Sequence, residues 1–275
     1  MKSLEDYVQT LTARSLPWKM LEDKLEMFKA SGHPFVPAVL YLEALSRDYE
    51  LPLYYVGGFL RDLQTDHNPN DIDVMYNVAS KQLIEAVTQK YFVRKNRFGG
   101  LKLNFTGTPI DMWAIEETNY FSPWMNMMDP PPTDRLPLFP IITNFPLVTF
   151  LTVESVIFEV YRERDPLYYM DGDVVRLGWE EGFFEACLTR TLELQLLATF
   201  QGNIMNPVPE LDLVRVHKLY SQGGWSIGSH LREYLRRELS KTTAERLAEI
   251  HRKHYGYILD AKKICADLGR MINPL

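Results

Sequence analysis

Tyr55-Val-Gly-Gly-Phe-Leu-Arg-Asp62, followed by Asn70-Asp-Ile-Asp-Val-Met-Tyr76, is the stretch on which the reading of this chain turns. Leu53-Tyr-Tyr-Val56 reads as a strand, Gly57-Gly58 as a tight turn, and Phe59 to Gln64 as the first turns of a short helix. A strand ending in two glycines lets backbone N–H groups approach a phosphate without side-chain obstruction, and a helix start adds a partial positive charge. In Asp71-Ile-Asp73 the strand period of two aims both carboxylates at one face. Like charges held so close repel, and the usual relief is a divalent cation. Mg2+ prefers carboxylate oxygens together with substrate phosphates. A third acid, Asp111 in Ile110-Asp-Met-Trp113, lies on a later candidate strand that can run beside the first pair. Three carboxylates suit a two-metal site, in which one ion activates an attacking hydroxyl and the other stabilises a leaving pyrophosphate.

Outward from this block the periodicity divides the chain into three parts. Residues 1–50 form a helical preface, with helices expected at Leu4 to Ala13, Pro17 to Ala30 and Pro37 to Tyr49; Trp18, Leu21, Leu25 and Phe28 are spaced for one buried face. Residues 51–178 form a mixed α/β lobe, with strands at Ile72 to Tyr76, Tyr91 to Val93, Leu101 to Phe105 and Pro109 to Ile115, and a helix at Ser80 to Lys90. Within it, Glu116 to Pro146 is rich in Pro, Asn and Met and is expected as a long surface excursion. Apolar runs at Leu147 to Val160 and Tyr168 to Leu177 complete the lobe. Residues 179–275 read as helices: Glu180 to Phe200, Glu210 to Tyr220, Gly228 to Leu239, Thr243 to His254 and Tyr257 to Met271. The fold class is α+β, a small mixed sheet followed by a helical lobe.

Composition agrees with a folded globular chain: 46% hydrophobic and 24% charged among 275 residues, long enough for one large or two small domains. The first residues lack the apolar core of a secretory signal and no stretch approaches a membrane span, so a cytoplasmic location is expected. Cys187 and Cys265, the two cysteines, have no metal-ligand spacing and read as plain thiols. A net charge of −6 argues against a uniformly basic nucleic-acid binder. Yet residues 215–263 hold 11 Lys and Arg against 5 Asp and Glu, a basic arm on an acidic protein. Arg236 and Arg237 in this arm are the candidate RNA contacts.

The order of strand, Gly-Gly, Arg-Asp pair and Asp-x-Asp strand resembles the head-domain signature of the tRNA nucleotidyltransferase and poly(A) polymerase family. Phe98-Gly-Gly-Leu-Lys-Leu103 with Ile110-Asp-Met-Trp113 resembles the hairpin carrying that family's third acid. Leu151-Thr-Val-Glu-Ser-Val-Ile-Phe158 resembles the segment closing its head. The resemblance covers about residues 50 to 200. It implies a DNA-polymerase-β-like catalytic head with an all-helical neck, two Mg2+ ions (or Mn2+), a nucleoside triphosphate donor such as ATP, and template-independent transfer to a hydroxyl, commonly an RNA 3′ end such as that of tRNA. By the same carry-over Gly57 and Gly58 cradle the triphosphate, Arg61 contacts it or orients the acids, Asp62 braces the turn, and Asp71, Asp73 and Asp111 bind metal.

The chain also departs from the pattern. Members that add CCA carry an acid pair before a base-reading Arg; the corresponding Glu185-Ala-Cys-Leu-Thr-Arg190 keeps only the Arg, so Arg190 is the candidate nucleotide contact. No Arg-Arg-Asp triplet precedes Thr152, and the length leaves out the C-terminal body that grips tRNA in full-length members. Two other readings therefore stand beside RNA extension: the same chemistry on a protein or small-molecule acceptor, and a non-catalytic nucleotide- or RNA-binding module. His217, His230, His251 and His254 lie scattered over helices and are expected to be solvated or capping. Of Trp113, Trp124, Trp179 and Trp225, only Trp113 lies close in sequence to a candidate acid, and Arg97 beside Phe98 reads as a phosphate contact or a surface charge.

Overall fold

The computed structural model of the chain describes residues 19–95, 99–114, 149–161, 177–179, 182–195, 208–255 and 260–273. The expected helix at Leu4 to Ala13, the Pro-rich excursion, most of the Tyr168 to Leu177 run, Trp18, Arg97 and Trp124 lie outside these residues. The chain divides into two compact units, one of residues 1–147 and 154–184 and one of residues 148–153 and 185–275.

The first unit is organised on a mixed seven-stranded sheet. Helix α1 spans 19–30 and α2 Val36–Asp48; then come β1 (Leu53–Val56), α3 (Gly58–Gln64), β2 (Ile72–Tyr76), α4 (Lys81–Thr88), β3 (Phe92–Lys95), β4 (Leu101–Phe105), β5 (Thr108–Ala114), β6 (Val156–Glu159) and β7 (Leu177–Trp179). The strands lie in the order β3-β4-β5-β2-β1-β6-β7. All neighbours are antiparallel except β2 and β5, which run parallel. All of β1 is buried, as its unbroken apolar run requires of a central strand. β5 alternates buried and half-buried residues, so Ile110 and Met112 face the core while Asp111 and Trp113 face away. Edge strand β3 is exposed along its length, and Arg94 and Lys95 discourage pairing with another chain.

Helices α1 and α2 supply aromatic packing to this unit. Leu21 and Leu25 are buried as the helical spacing predicts, and Phe28 meets Phe59 of α3 edge-on at 5.9 Å. Tyr41 of α2 stacks on Phe105 of β4 with centroids 4.5 Å apart, and Tyr91 closes the group at 4.6 Å from Phe105.

The second unit contains α5 (Phe183–Thr189, all but its first two residues), β8 (Thr191–Leu192), α6 (Pro209–Ser221), β9 (Ser226–Ile227), α7 (Ser229–Leu239), α8 (Ala244–Tyr255) and α9 (Ala261–Ile272). It is helical as expected, with one addition. Over the described residues 182–195, the single helix expected at Glu180 to Phe200 is replaced by α5 and a short strand, because Arg190 turns into the left-handed region at φ 51° and Thr191-Leu192 pairs in parallel with Ser226-Ile227. Long-range pairing outweighs a helix propensity that the β-branched Thr189 and Thr191 weaken.

Glu193, just beyond this break, explains how the pairing holds. Its carboxylate accepts from the backbone N–H groups of Leu231 at 2.7 Å and His230 at 3.3 Å in the first turn of α7, while also accepting from Leu194 N–H at 2.7 Å. It thereby caps α7 from across the unit, and a Cβ on Gly228 would displace that carboxylate. The buried Tyr234 hydroxyl of α7 donates to Asp212 of α6 at 2.7 Å, and burial raises the tyrosine pKa well above its ordinary value.

Candidate active site

Gly57 ends β1 in a conformation open to glycine alone, φ 60° and ψ −121°, and among the described residues no heavy atom lies within 4 Å of where its Cβ would stand. The turn is therefore bare of described side chains, while the Gly57 N–H itself donates to the Val156 carbonyl at 3.3 Å. Helix α3 starts at Gly58 but has only seven residues, so the partial charge at its start is small and the unobstructed backbone is the more useful feature.

Beneath the turn lies Arg61. Its Nε donates to Asp62 Oδ1 at 2.8 Å, its Nη2 lies 2.7 Å from the same oxygen, and its Nη1 donates to Glu154 Oε1 at 3.1 Å. All three side chains are below one-tenth exposed. A Cβ on Gly58 would stand 3.5 Å from Arg61 Nη2, so the guanidinium supports the turn from below. Arg61 thus holds Asp62 and Glu154, two acids outside the Asp71, Asp73 and Asp111 set. Asp62 is held to Arg61 by this pair, and its carbonyl accepts from His67 N–H at 2.9 Å. Burial lifts the Asp62 carboxyl above its ordinary pKa; Arg61 opposes the rise and nearby Asp71 adds to it. Glu154 was not singled out from the sequence. The available signal was an acid inside the otherwise apolar run Leu151 to Phe158.

The acids sit one strand further on. Asp73 and Asp111 are register partners on the parallel strands β2 and β5, and Asp111 is in turn the register partner of Lys102 on β4. Asp71, Asp73 and Asp111 are all half-buried, while Ile72, Val74, Ile110 and Met112 between and beside them are buried. Asp111 Oδ2 accepts from Lys102 Nζ at 2.9 Å; its Oδ1 is buried and meets no hydrogen-bond partner among the described residues. Among the described residues, no group of three or more His, Cys, Asp or Glu side chains converges as a ready-made metal cage. The structure thus brings Asp73 and Asp111 together by register, with Lys102 as the neighbour of Asp111 on the third strand. Carboxylate oxygens on adjacent strands, one of them buried and unpaired, fit a hard divalent cation in donor chemistry.

Gly100 fixes the hairpin that carries Asp111. A Cβ at Gly100 would overlap the Met112 carbonyl oxygen and stand 2.7 Å from Trp113 Cβ. Gly100→Ala is therefore expected to destabilise the protein by about 1–3 kcal/mol and to displace β5. Thermal unfolding reads the first effect, and an unchanged melting temperature would show that β4 and β5 tolerate the separation.

The remaining candidates belong to the second unit. Arg190 sits in the second unit, its carbonyl accepting from Ser226 N–H at 2.8 Å and its guanidinium beside Gly224. Arg236 and Arg237 are exposed on α7; Arg237 also pairs with Glu238 at 2.7 Å and lies over the Tyr234 ring. Part of the basic arm is likewise neutralised locally, with Lys241 on Glu238 and Arg246 on Glu210 and Glu249. His230 fits the expectation, lying half-exposed with Nδ1 3.6 Å from Glu193, but His217 and His251 are buried instead of solvated. His217 pairs with Asp267 at 3.0 Å, a bond that lowers the Asp267 pKa. Trp225 is a core residue. No helix among the described residues is long and apolar enough to cross a membrane.

No protein-family profile matches the sequence, and no curated protein matches it. Solved structures do. A Thermotoga maritima CCA-adding enzyme in complex with tRNA superposes with a TM-score of 0.55 at 15% identity, over 92% of this chain and 53% of that one. A CCA-adding enzyme in complex with CTP gives 0.58 at 15% identity, over 92% and 54%. A tRNA-processing enzyme gives 0.53 at 13% identity, over 87% and 57%. This chain spans about half the length of the structures it matches. At such identities the likeness is one of fold: the chain has a fold like that of these CCA-adding and tRNA-processing enzymes.

Proposed function

We propose that the chain is a template-independent nucleotidyltransferase that transfers a nucleotidyl group from a nucleoside triphosphate to the 3′ hydroxyl of an RNA and releases pyrophosphate. The observation that carries this reading is the register pairing of Asp73 with Asp111 on parallel strands one strand away from the bare Gly57 turn. The named ligands of the matched structures, tRNA and CTP, agree with it in kind.

In the reaction the 3′ oxygen attacks the α-phosphorus in line. The new P–O bond forms as the bond to the β-phosphate bridging oxygen breaks, and the hydroxyl proton passes to solvent. Gly57 and Gly58 cradle the triphosphate in this reading, Gly57 by an approach that no described side chain blocks. Arg61, Asp62 and Glu154 keep the turn in that shape. Asp71, Asp73 and Asp111 would hold Mg2+, which when bound neutralises the developing charge and favours the ionised hydroxyl. Arg190 is proposed as a nucleotide contact, and Arg236 and Arg237 as contacts to the polyanionic acceptor.

Incubating the pure protein with Mg2+, each α-labelled nucleoside triphosphate in turn and total cellular RNA tests the acceptor. Label in RNA supports the proposal. Label on protein or a small molecule moves the same chemistry to another acceptor, and no transfer overturns it. Arg190→Ala is expected to raise the nucleotide KM or relax base preference by the equivalent of about 1.5–3 kcal/mol, the scale of a hydrogen bond to a charged group. A fall in melting temperature with KM unchanged would instead assign Arg190 to the scaffold of its own unit. Reversing the charge at Arg236 and Arg237 is expected to weaken RNA binding and flatten its salt dependence; an unchanged salt slope would make them ordinary solvated charges.

A further inference from the structure

Lys102, Asp111 and Asp73 form one row across three adjacent strands, each the register partner of the next. Leu101 and Leu103 on either side of Lys102 are 3% and 1% exposed, so strand alternation sends Lys102 to the opposite face, the one that carries the two acids. There its ammonium lies 2.9 Å from Asp111 Oδ2, with the lysine side chain 33% exposed and the aspartate 18%. The lysine is thus anchored on the carboxylate and yet has an open path to solvent.

An ammonium group and a divalent cation compete for the same carboxylate, since each is attracted to its oxygens and the two repel one another. Resting on the nucleotidyltransferase reading, we propose that Lys102 is a resident competitor for the divalent cation at Asp111. The cation engages this carboxylate fully only when the ammonium has moved off it, and a polyanionic triphosphate arriving nearby is the natural acceptor for that charge.

The test is a titration of the full-length protein with Mn2+ alone, following the free ion by electron paramagnetic resonance, for the natural protein, Lys102→Gln and Lys102→Arg. Lys102→Gln, which removes the charge from a partly exposed strand position, is expected to bind Mn2+ on the order of tenfold more tightly. Lys102→Arg, which keeps the charge, is expected to bind no more tightly than the natural protein. Binding by Lys102→Gln but not by the natural protein would be the extreme form of the expected result. Equal affinity in the natural protein and Lys102→Gln, or equal tightening in both variants, overturns the role of Lys102 and leaves the metal reading standing. Failure of the natural protein and of Lys102→Gln alike to bind Mn2+ overturns the metal reading itself, and this inference with it.

Discussion

Asp73→Ala is expected to reduce nucleotidyl transfer by at least about a thousandfold, roughly 4 kcal/mol of transition-state stabilisation, while the protein remains folded. The reason is the position of Asp73: it stands in register with Asp111 on the one parallel strand pair in the sheet, half-buried between the buried Ile72 and Val74. Removing the carboxylate takes away a cation ligand without opening the core, since its apolar neighbours keep their packing. It also removes one of two like charges, so stability is expected to stay within about 1 kcal/mol of the natural protein. Asp71→Ala is expected to behave in the same way. Steady-state transfer rates and thermal unfolding measured together decide the matter: near-normal turnover in either variant sinks the metal assignment, and loss of folding would make the acids structural.

The second large effect is expected at Arg61, and it is one of stability. The guanidinium is the shared partner of two buried carboxylates, Asp62 and Glu154, so Arg61→Ala takes a buried positive charge away from both. Breaking a buried charge cluster from one side in this way costs about 3–5 kcal/mol. Arg61→Lys should recover only part of it, because an ammonium cannot reproduce the fork that meets both acids. The pH dependence carries a defined sign. Burial already raises the Asp62 pKa, so the folded protein holds that proton to higher pH than the unfolded chain; the stabilisation this gives is present at low pH and is lost as pH rises through the folded value. Without Arg61 the carboxyl rises further. The destabilisation of Arg61→Ala is therefore expected to be largest near neutrality and to shrink as pH falls through the range in which Asp62 takes up its proton. Denaturant unfolding across that range measures it. A penalty independent of pH would show that Arg61 acts through packing alone.

Much of the head was legible because local and long-range signals agree there. The run Leu53 to Val56, the Gly57 turn and the Asp71-Ile-Asp73 alternation each have one economical conformation, and β1, α3 and β2 are found where their pattern puts them. Gly57 needs a backbone conformation that its sequence position already suggested. What the sequence concealed depends on partners far along the chain. Glu154 lies 93 residues from Arg61, and nothing local marks the two as a pair. Lys102 looks like an ordinary strand lysine until the register sets it opposite Asp111. The break after α5 is hidden for the same reason: Glu193 and Thr191 find their partners around Ser226 to Leu231, and only that pairing turns Arg190 left-handed. The burial of His217 likewise follows from Asp267, 50 residues away on α9.

The central claim is that the row of acids beside the bare glycine turn transfers a nucleotidyl group. It is tested most directly by giving the protein Mg2+, RNA and ATP labelled in separate reactions at the α- and γ-phosphates, with the other three nucleotides treated likewise. The account predicts that α-label appears at the RNA 3′ end in equal amount to γ-label released as pyrophosphate, and that Asp73→Ala abolishes both. Release of γ-label as inorganic phosphate, or its transfer to an acceptor while the α-label stays on the nucleotide, would contradict it.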